Sequence, residues 1–183
     1  TTSNALAHQT KTVPYPAWGT PKQVTDVNDN VTTFGVDGLG RTTSVTRPDD
    51  AVGTPSMKFA YRVTPSEPNL VTTQRLLSGT SYVSTYDMLD GFGRVVQTQL
   101  PPPHAAPDRR IVMTRYDALG RTAAVTQPFG ATGAPGSDLA VVALSAIPLE
   151  TRYAYDALGR QTRASQYALG ASKFSTATTY SGW

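Results

Sequence analysis

The two histidines, His8 and His104, are the residues of this chain best suited to acid–base chemistry near neutral pH. A hydrolase would pair such a histidine with a nucleophile and an orienting carboxylate. Both histidines lie in polar or proline-rich segments, and no Gly-x-Ser-x-Gly motif is present. We therefore interpret both histidines as surface residues. We predict that the chain is not an enzyme and carries no catalytic residues.

Oxygen-bearing side chains between residues 26 and 37 resemble part of a calcium-binding loop. The pattern places Asp26, Asn28, Asn30, Thr32 and Asp37 at its positions 1, 3, 5, 7 and 12. Its glycine position is occupied by Val31, and its final Glu is replaced by Asp37. The glycine-containing stretch 133–136 lacks the lysine of a phosphate-binding loop. The sequence thus predicts no metal site and no cofactor.

A repeated turn motif accounts for most of the aspartates. Tyr-Asp-Ala-Leu-Gly-Arg occurs at 116–121 and 155–160, and weaker copies occur at 15–20, 25–30, 36–41 and 89–94. In this motif the Asp side chain accepts a backbone N–H two residues on, and the Gly adopts a positive φ. The residues to which we assign a structural role in these turns are Gly19, Asp37, Gly40, Arg41, Asp90, Gly93, Arg94, Tyr116, Asp117, Gly120, Arg121, Tyr155, Asp156, Gly159 and Arg160.

Each motif predicts the tip of a β-hairpin, in which a type I turn and a left-handed glycine join two antiparallel strands through a bulge. The residues after each Arg alternate in polarity with period two, as in a sheet with one covered face. The positions two and four residues after the Arg are the less polar ones, and we expect them to lie on the covered face. Pro48, Pro101 and Pro128 should end three of these strands.

The motifs define one repeat segment, 1–183, with variable stretches at 49–85 and 129–150. Residues 1–14 are polar and read as a frayed lead-in. The Ala and Leu content of 137–147 favours a short helix over a strand. Further strands are predicted by alternation at 57–63, 70–77 and 81–86. The fold class is all-β, with tandem antiparallel hairpins forming an open curved sheet that has at least one free edge strand.

Charge and composition exclude several classes of function. The net charge is +3, and the basic residues are spread over the turns; only Arg109-Arg110 comes close to a cluster, so no nucleic-acid binding is predicted. No cysteine is present, which excludes disulfides and thiolate metal sites. No apolar run approaches the roughly 18 residues of a membrane span, so no direct membrane insertion is expected. The chain begins at Thr1 without a visible signal peptide, and we expect it to be an internal or processed segment.

The recurring Tyr-Asp-x-x-Gly-Arg resembles the YD repeat of bacterial Rhs proteins, of the B and C components of ABC toxin complexes, and of teneurins. The matching parts are 18–48 and the stretches around Arg94, Arg121 and Arg160. The resemblance implies a segment of a spiralling β-shell that encloses a C-terminal toxin or effector in a secreted or cell-surface bacterial protein. Its partners would be the rest of the parent shell and the enclosed polypeptide. No Asp-Pro-x-Gly signature is present, so the releasing protease activity of such proteins is not carried over.

A second hypothesis is a cell-surface adhesive or carbohydrate-binding module, because aromatic side chains can stack on sugar rings. It requires several aromatic residues to be exposed together, whereas a shell wall requires them to be buried or dispersed. The aromatic residues in question are Tyr15, Trp18, Phe34, Tyr61, Tyr82, Tyr86 and Trp183. A glycan is therefore kept as a possible partner.

Overall fold

The structure, a computed structural model, describes residues 1–5, 8–102 and 109–181. These residues form fifteen strands and no α-helix. The strands are β1 (Thr2–Ser3), β2 (Gln9–Pro14), β3 (Pro21–Thr25), β4 (Val31–Val36), β5 (Thr42–Thr46), β6 (Met57–Arg62), β7 (Asn69–Ser78), β8 (Ser81–Leu89), β9 (Val95–Leu100), β10 (Arg109–Tyr116), β11 (Thr122–Thr126), β12 (Phe129–Ala131), β13 (Glu150–Tyr155), β14 (Gln161–Ala168) and β15 (Ala171–Ala177).

The strands pair in chain order. The order runs from β1 to β11 and on through β13 and β14 to β15, while β12 pairs with β10 instead. Every pairing that the register describes is antiparallel, and the order begins at β1 and ends at β15 without closing. The prediction of an all-β chain of tandem hairpins in an open sheet is therefore confirmed.

Backbone contacts divide the chain into two compact units. The first comprises Thr1–Tyr61 with Thr72–Ser84, and the second comprises Arg62–Val71 with Thr85–Trp183. Connections in an antiparallel meander alternate between the two ends of the strands. In the first unit the turns at 15–20 and 36–41 therefore share one end of the strands. In the second unit the turns at 89–94, 116–121 and 155–160 do so.

Two segments differ from their sequence-based expectation. Residues 1–14 are not a frayed lead-in, because β1 and β2 form a hairpin and β2 pairs with β3, with Thr12 opposite Val24. The side chains of β2 are all exposed, so its polar sequence hid a strand that is held by backbone hydrogen bonds. Residues 137–147 are not a short helix either. They are irregular except for a single 3-10 turn at Leu144–Ala146.

The strands predicted within 49–85 are present as β6, β7 and the start of β8. Gly79, with a φ of 55°, lies in the tight turn between β7 and β8. The strands β5, β9 and β11 end before or at the residue preceding Pro48, Pro101 and Pro128, as expected. Tyr167 lies inside β14, which continues to a second tight turn at Leu169-Gly170.

The core of the second unit lies on one face of its strands. Pairing places Met88 opposite Gln97 and Gln99 opposite Ile111, and all four side chains are at most 2 % exposed. We call this the covered face. Residues 132–149, which we call the strap, pack on it, and Ala140 and Ile147 of the strap join Ile111 and Phe129 in a buried cluster.

The alternation of the strands is real, but its predicted phase is wrong in β9 and β11 of the second unit, whereas in β14 the half-buried Thr162 and Ala164 alternate with the exposed Gln161 and Arg163. The buried residues of β9 are Gln97 and Gln99, and those of β11 are Ala124 and Thr126. They lie three and five residues after the Arg of the preceding turn, whereas Val96 and Val125 are only half-buried. Glutamine is buried here because the strap supplies hydrogen-bond partners to its amide.

Candidate functional site: the repeat turns and the Arg–Tyr contacts between them

The four turns at 36–41, 89–94, 116–121 and 155–160 share one hydrogen-bond pattern. In the turn at 116–121, Oδ1 of Asp117 accepts the backbone N–H of Leu119 at 3.0 Å and of Arg121 at 2.8 Å. Its Oδ2 accepts from Nε of Arg121 at 2.7 Å. The N–H of Gly120 donates to the carbonyl of Asp117 at 2.9 Å. One aspartate thus fixes the backbone of its own turn and the guanidinium at its end.

The corresponding bonds recur in the other three turns, with Nε–Oδ2 distances of 2.7 Å at Arg41, 2.8 Å at Arg94 and 2.7 Å at Arg160. The four glycines have the predicted positive φ: 77° at Gly40, 77° at Gly93, 81° at Gly120 and 80° at Gly159. The strand register shifts by a bulge just before each turn, for example between Arg115 and Tyr116. Both the glycine prediction and the bulge prediction are confirmed.

These bonds lower the pKa of each turn aspartate. At Asp90 the side-chain hydrogen bond from Arg94 is the main cause, and at Asp156 it is the backbone hydrogen bond from Arg160. At Asp37 and Asp117 desolvation is the largest single influence and raises the pKa, but the hydrogen bonds from the arginine outweigh it and the pKa falls. The ionised carboxylate is therefore the form that the turn stabilises.

Each turn arginine also contacts a tyrosine of the following hairpin. The guanidinium carbon lies 4.4 Å from the ring centroid for Arg41 over Tyr61 and 4.2 Å for Arg94 over Tyr116. The corresponding distances are 4.6 Å for Arg121 over Tyr155 and 4.4 Å for Arg160 over Tyr180. Such cation–π contacts are worth about 0.5–1 kcal/mol at exposed sites.

The hydroxyl of each of these tyrosines makes a second bond to the same place. It donates to the backbone carbonyl of the residue that follows the arginine: Thr42 at 2.8 Å, Val95 at 3.1 Å, Thr122 at 2.8 Å and Gln161 at 3.0 Å. Each tyrosine is therefore held by two interactions: its ring lies against the guanidinium, and its hydroxyl bonds to the backbone carbonyl of the residue after the arginine. We call this two-part interaction an Arg–Tyr contact.

In the second unit the Arg–Tyr contacts form a continuous series. Tyr116, which contacts Arg94, and Tyr155, which contacts Arg121, are also the first residues of the next two turns. Nη1 of Arg121 also reaches the carbonyl of Asp156, at 3.3 Å. Two partners were missed in the sequence, Tyr61 and Tyr180, because neither begins a recognisable motif. Such partners could be found in a sequence by looking for an aromatic residue at or just after the end of the strand that runs back toward the arginine.

The two weakest copies of the motif behave differently. At 25–30, Asp26 accepts the N–H of Asn28 and Asn30, and Asp29 takes the glycine position with a φ of 60°. This turn has no arginine, and it lies at the opposite end of the strands from 36–41. At 15–20 the ring of Trp18 lies against Gly40. A Cβ atom added to Gly40 would be 2.5 Å from Cγ of Trp18. Gly19 has a φ of 69°.

The histidine and carboxylate side chains considered for chemistry do not form a metal-binding cluster within the described ranges. His8 is exposed, and no cluster of three or more His, Asp or Glu side chains suited to a metal ion occurs within the described ranges. His104 lies outside the described residues, as does Trp183. Arg109, the nearest approach to a basic patch, donates to Gln99 and to the carbonyl of Ala134. In the part of the chain that the structure describes, no helix is long and apolar enough to cross a membrane.

The aromatic residues considered for sugar stacking are mostly half-buried. Tyr15, Tyr61 and Tyr82 each donate their hydroxyl to a backbone carbonyl, and Tyr86 and Phe34 are also half-buried. Trp18 is 45 % exposed and meets Tyr15 edge-on, with 6.2 Å between ring centroids. Four strongly exposed apolar residues lie elsewhere, at the tips of the repeat turns: Leu39, Phe92, Leu119 and Leu158 are 73–87 % exposed.

No family model matches this chain, and no curated protein matches it. Solved structures do match. The crystal structure of TcdB2-TccC3 superposes over 95 % of this chain with a TM-score of 0.69 and 18 % sequence identity. The crystal structure of TcdB2-TccC3 without its hypervariable C-terminal region superposes over 85 % with a TM-score of 0.63 and 14 % identity.

The chain spans 11 % and 12 % of the length of these two matched chains. At this identity the likeness establishes the fold. TcdB2-TccC3 is an ABC toxin complex with an Rhs/YD-type shell, so the resemblance expected from the Tyr-Asp-x-x-Gly-Arg motif is confirmed at the level of the fold. This chain is similar in fold to a part of each of these two chains.

Proposed function

We propose that this chain is a non-catalytic segment of an Rhs/YD-repeat shell that encloses a C-terminal toxin or effector polypeptide. The observation that supports it most is the likeness of 95 % of the chain to part of TcdB2-TccC3. A wall segment requires a continuous sheet, and hairpins joined edge to edge supply one. In the intact shell this sheet would be curved, and the chain would act as a single repeat segment.

The Arg–Tyr contacts suit this role because they join consecutive hairpins at the same place. Each contact adds a ring stack and a hydrogen bond to the backbone ladder between neighbouring hairpins, for example where Arg121 meets Tyr155. The turn residues, including Asp117, Gly120 and Arg121, therefore have a structural role and not a chemical one. Their aspartates are ionised and bound within the turn, so they are poorly placed to act as general acids or bases.

The proposed partners are the remainder of the parent shell and the enclosed C-terminal polypeptide. One of the matched structures is TcdB2-TccC3 without its hypervariable C-terminal region, and a shell around such a region would be expected of a secreted or cell-surface bacterial protein. No nucleic acid and no direct membrane insertion enter this proposal. The exposed tips Phe92, Leu119 and Leu158 are available for contact with other parts of the shell.

Limited proteolysis of the full-length parent protein tests the proposal. The C-terminal polypeptide should be resistant when it is attached to the intact shell and cleaved rapidly when it is produced alone. Replacing Arg94, Arg121 and Arg160 together by Ala should open the wall and reduce the protection. The matched control is Arg163→Ala, since Arg163 is exposed and makes no ion pair or ring contact among the described residues. Equal cleavage of the attached and isolated polypeptides would contradict enclosure.

The free edges give a second test on the isolated chain. Strands β1 and β15 end the sheet order, and the side chains of β15 are all exposed. An unpaired edge is a template for another strand. We expect self-association that grows with concentration in light scattering. A monomer at all concentrations would favour an independent binding domain instead.

The alternative function, an adhesive or carbohydrate-binding module, has a candidate binding place among the residues that the structure describes. Trp18 is partly exposed and lies beside Tyr15. If this pair binds a sugar, Trp18→Ala should abolish retention on a glycan array, and the shell reading would then need revision.

A further inference from the structure

The four strong copies of the repeat turn differ in the residue that follows their aspartate. In the turns at 36–41 and 89–94 it is a glycine, Gly38 and Gly91, whereas in the other two it is an alanine. The pair Asp-Gly occurs nowhere else in the sequence. The backbone does not require these two glycines, because neither has a positive φ and nothing lies within 4 Å of a Cβ added to either. Their importance is therefore chemical.

An Asp-Gly pair can convert to isoaspartate through a cyclic succinimide. The amide nitrogen of the glycine bonds to Cγ of the aspartic acid, and the amide proton leaves with the carboxyl hydroxyl as water. Water then opens the ring. Cleavage of the new bond between nitrogen and Cγ restores aspartate, whereas cleavage between nitrogen and the main-chain carbonyl carbon gives isoaspartate. Water is the only co-reactant, and glycine favours the ring because it has no Cβ to hinder the nitrogen.

The closed turn opposes this reaction at Asp90. Its Oδ1 accepts the N–H of Phe92 at 2.9 Å and of Arg94 at 3.0 Å, and its Oδ2 accepts from Nε of Arg94 at 2.8 Å. The pKa of Asp90 is lowered, first of all by the side-chain hydrogen bond from Arg94. Hydrogen bonds to the charged form favour that form. The uncharged carboxyl, which alone has a hydroxyl to release, is therefore rare in the closed turn.

Asp37 is held by the same set of bonds. Its Oδ1 accepts the N–H of Leu39 at 2.9 Å and of Arg41 at 3.0 Å, and its Oδ2 accepts from Nε of Arg41 at 2.7 Å. The glycines that follow Asp37 and Asp90 are both exposed, so water has access to each turn. The hydrogen bonds of the turn, and not burial, are thus what protects the two pairs.

Isoaspartate would not fit back into the turn. Its main chain is longer by one carbon atom, and its carboxylate is attached directly to Cα. It therefore cannot bond the N–H groups two and four residues on with the geometry of aspartate. At position 90 this would also remove the carboxylate partner of Arg94, whose guanidinium lies 4.2 Å from the ring centroid of Tyr116. A turn that is modified while open would not close again.

We propose that Asp37-Gly38 and Asp90-Gly91 are modification sites, at which isoaspartate forms when the turn opens and is suppressed while the turn is closed. Asp117 and Asp156, which precede alanine, share the closed geometry but react slowly even in an open turn. This inference goes beyond the proposed function, because it concerns a chemical change of the chain and does not require a shell.

The test follows water into the turns. The full chain is incubated in water enriched in the heavy oxygen isotope at about pH 6, where an ordinary aspartate keeps a small uncharged fraction. Each carboxylate that passes through the succinimide gains one heavy oxygen, and mass spectrometry of the digested chain locates it. One sample is folded in buffer, and the other is unfolded in guanidinium chloride. Labelling of Asp37 and Asp90 should be at least about tenfold slower in the folded sample, because hydrogen bonds to a charged group must be lost first.

The turns that carry alanine supply the matched control. In the unfolded sample Asp37 and Asp90 should be labelled faster than Asp117 and Asp156. The proposal is overturned if the four aspartates are labelled at one rate in that sample. It is also overturned if Asp37 and Asp90 are labelled equally fast in the folded and unfolded samples.

Single substitutions exchange the residue after the aspartate. In the unfolded chain Gly91→Ala should slow the labelling of Asp90 to the rate of Asp117, and Ala118→Gly should speed the labelling of Asp117 to the rate of Asp90. Positions 91 and 118 are both exposed, so both variants should fold. Unchanged labelling in both variants would show that the glycine does not determine the site.

Arg94→Ala tests whether the turn bonds themselves suppress the reaction. In buffer, labelling of Asp90 should rise at least about tenfold, while Asp37 in the same chain stays unchanged as the internal reference. A chain that circular dichroism shows to be folded, but in which Asp90 stays unlabelled, overturns the proposal. If Arg94→Ala does not fold, Ala118→Gly decides instead: its Asp117 should be labelled in guanidinium chloride and protected in buffer, and equal rates overturn the proposal.

Discussion

The repeat turns and the strap are both held by hydrogen bonds from polar side chains to backbone groups, but the bonded residues are separated by different distances in the sequence. In both regions a polar side chain holds an irregular backbone in place. Asp117 bonds the N–H groups of residues two and four positions away, whereas Gln97 bonds the N–H and carbonyl of Ala140, 43 positions away. The chemistry is alike, and only the turn carries both partners within one short stretch of sequence.

This difference decides what each region tolerates. A turn depends on the few residues that form it, so one turn can fail while its neighbours remain intact. The strap depends on amides supplied by β9, and losing one amide leaves several buried groups of the strap without partners at once. Three predictions test this contrast, from the largest expected effect to the smallest.

Gln97→Leu should cause the largest loss. It leaves the buried N–H and carbonyl of Ala140 without partners, at about 1–3 kcal/mol for each group, so the free energy of unfolding should fall by at least about 2 kcal/mol. Urea unfolding followed by circular dichroism measures the change. Gln161→Leu in β14 is the control, because Gln161 is exposed and should change stability by no more than about 0.5 kcal/mol. Equal effects of the two substitutions would show that the strap adds no stability.

Gly40→Ala and Gly159→Ala should come next, and they should differ from each other. Both place an L residue in the left-handed region, which costs roughly 1–2 kcal/mol. The added Cβ of Gly40→Ala would also lie 2.5 Å from Cγ of Trp18, whereas nothing lies within 4 Å at Gly159. Thermal unfolding should therefore rank Gly40→Ala as the more damaging.

Gly91→Ala is the control for these two changes. Gly91 lacks a positive φ and has open space around it, so the substitution should be neutral or stabilise by about 0.4–1 kcal/mol through the unfolded chain. If Gly159→Ala were equally harmless, the positive φ would not be what these turns require.

The smallest of the three effects should be the loss of stability when a turn aspartate is protonated at low pH. Because the pKa of Asp90 is lowered in the folded state, first of all by its hydrogen bond with Arg94, the folded chain binds fewer protons than the unfolded one. The stabilisation is present above the unfolded value of about 4 and is lost as the pH falls through the lowered folded value. The melting temperature should drop between pH 5 and the most acidic buffer tolerated, and Asp90→Asn should flatten that drop slightly. Asp49→Asn, outside the repeat turns, is the control for the loss of one carboxylate.

The sequence could predict what short-range physics determines. The hairpin tips, the positive φ of their glycines and the bulges follow from residues at most five positions apart. The strand ends at Pro48 and Pro128 follow from the missing N–H of proline. The fold class then follows from repetition of these units, because six hairpin tips leave little room for any other architecture.

The rest depended on contacts that no local pattern displays. Ala and Leu in 137–147 favour a helix, but the N–H of Ala140 bonds to Gln97 and is not free for one. The same contact reversed the predicted phase of burial in β9, since glutamine is counted as polar until its hydrogen-bond partner is known. Tyr61 and Tyr180 lacked a motif of their own, so their contacts with Arg41 and Arg160 needed the strand pairing to be found.

The Arg–Tyr contact also bears on how such chains change in length over evolution. Tyr116 donates to a carbonyl 21 positions earlier, and Tyr155 donates to one 33 positions earlier, yet the two contacts have the same form. The twelve additional residues enter at the far end of the hairpin, away from the arginine. Lengthening a flexible loop costs little, about 0.6 kcal/mol for each doubling. Insertions at that end therefore leave the junction between repeats untouched, so new surface loops can arise there without redesign of the wall.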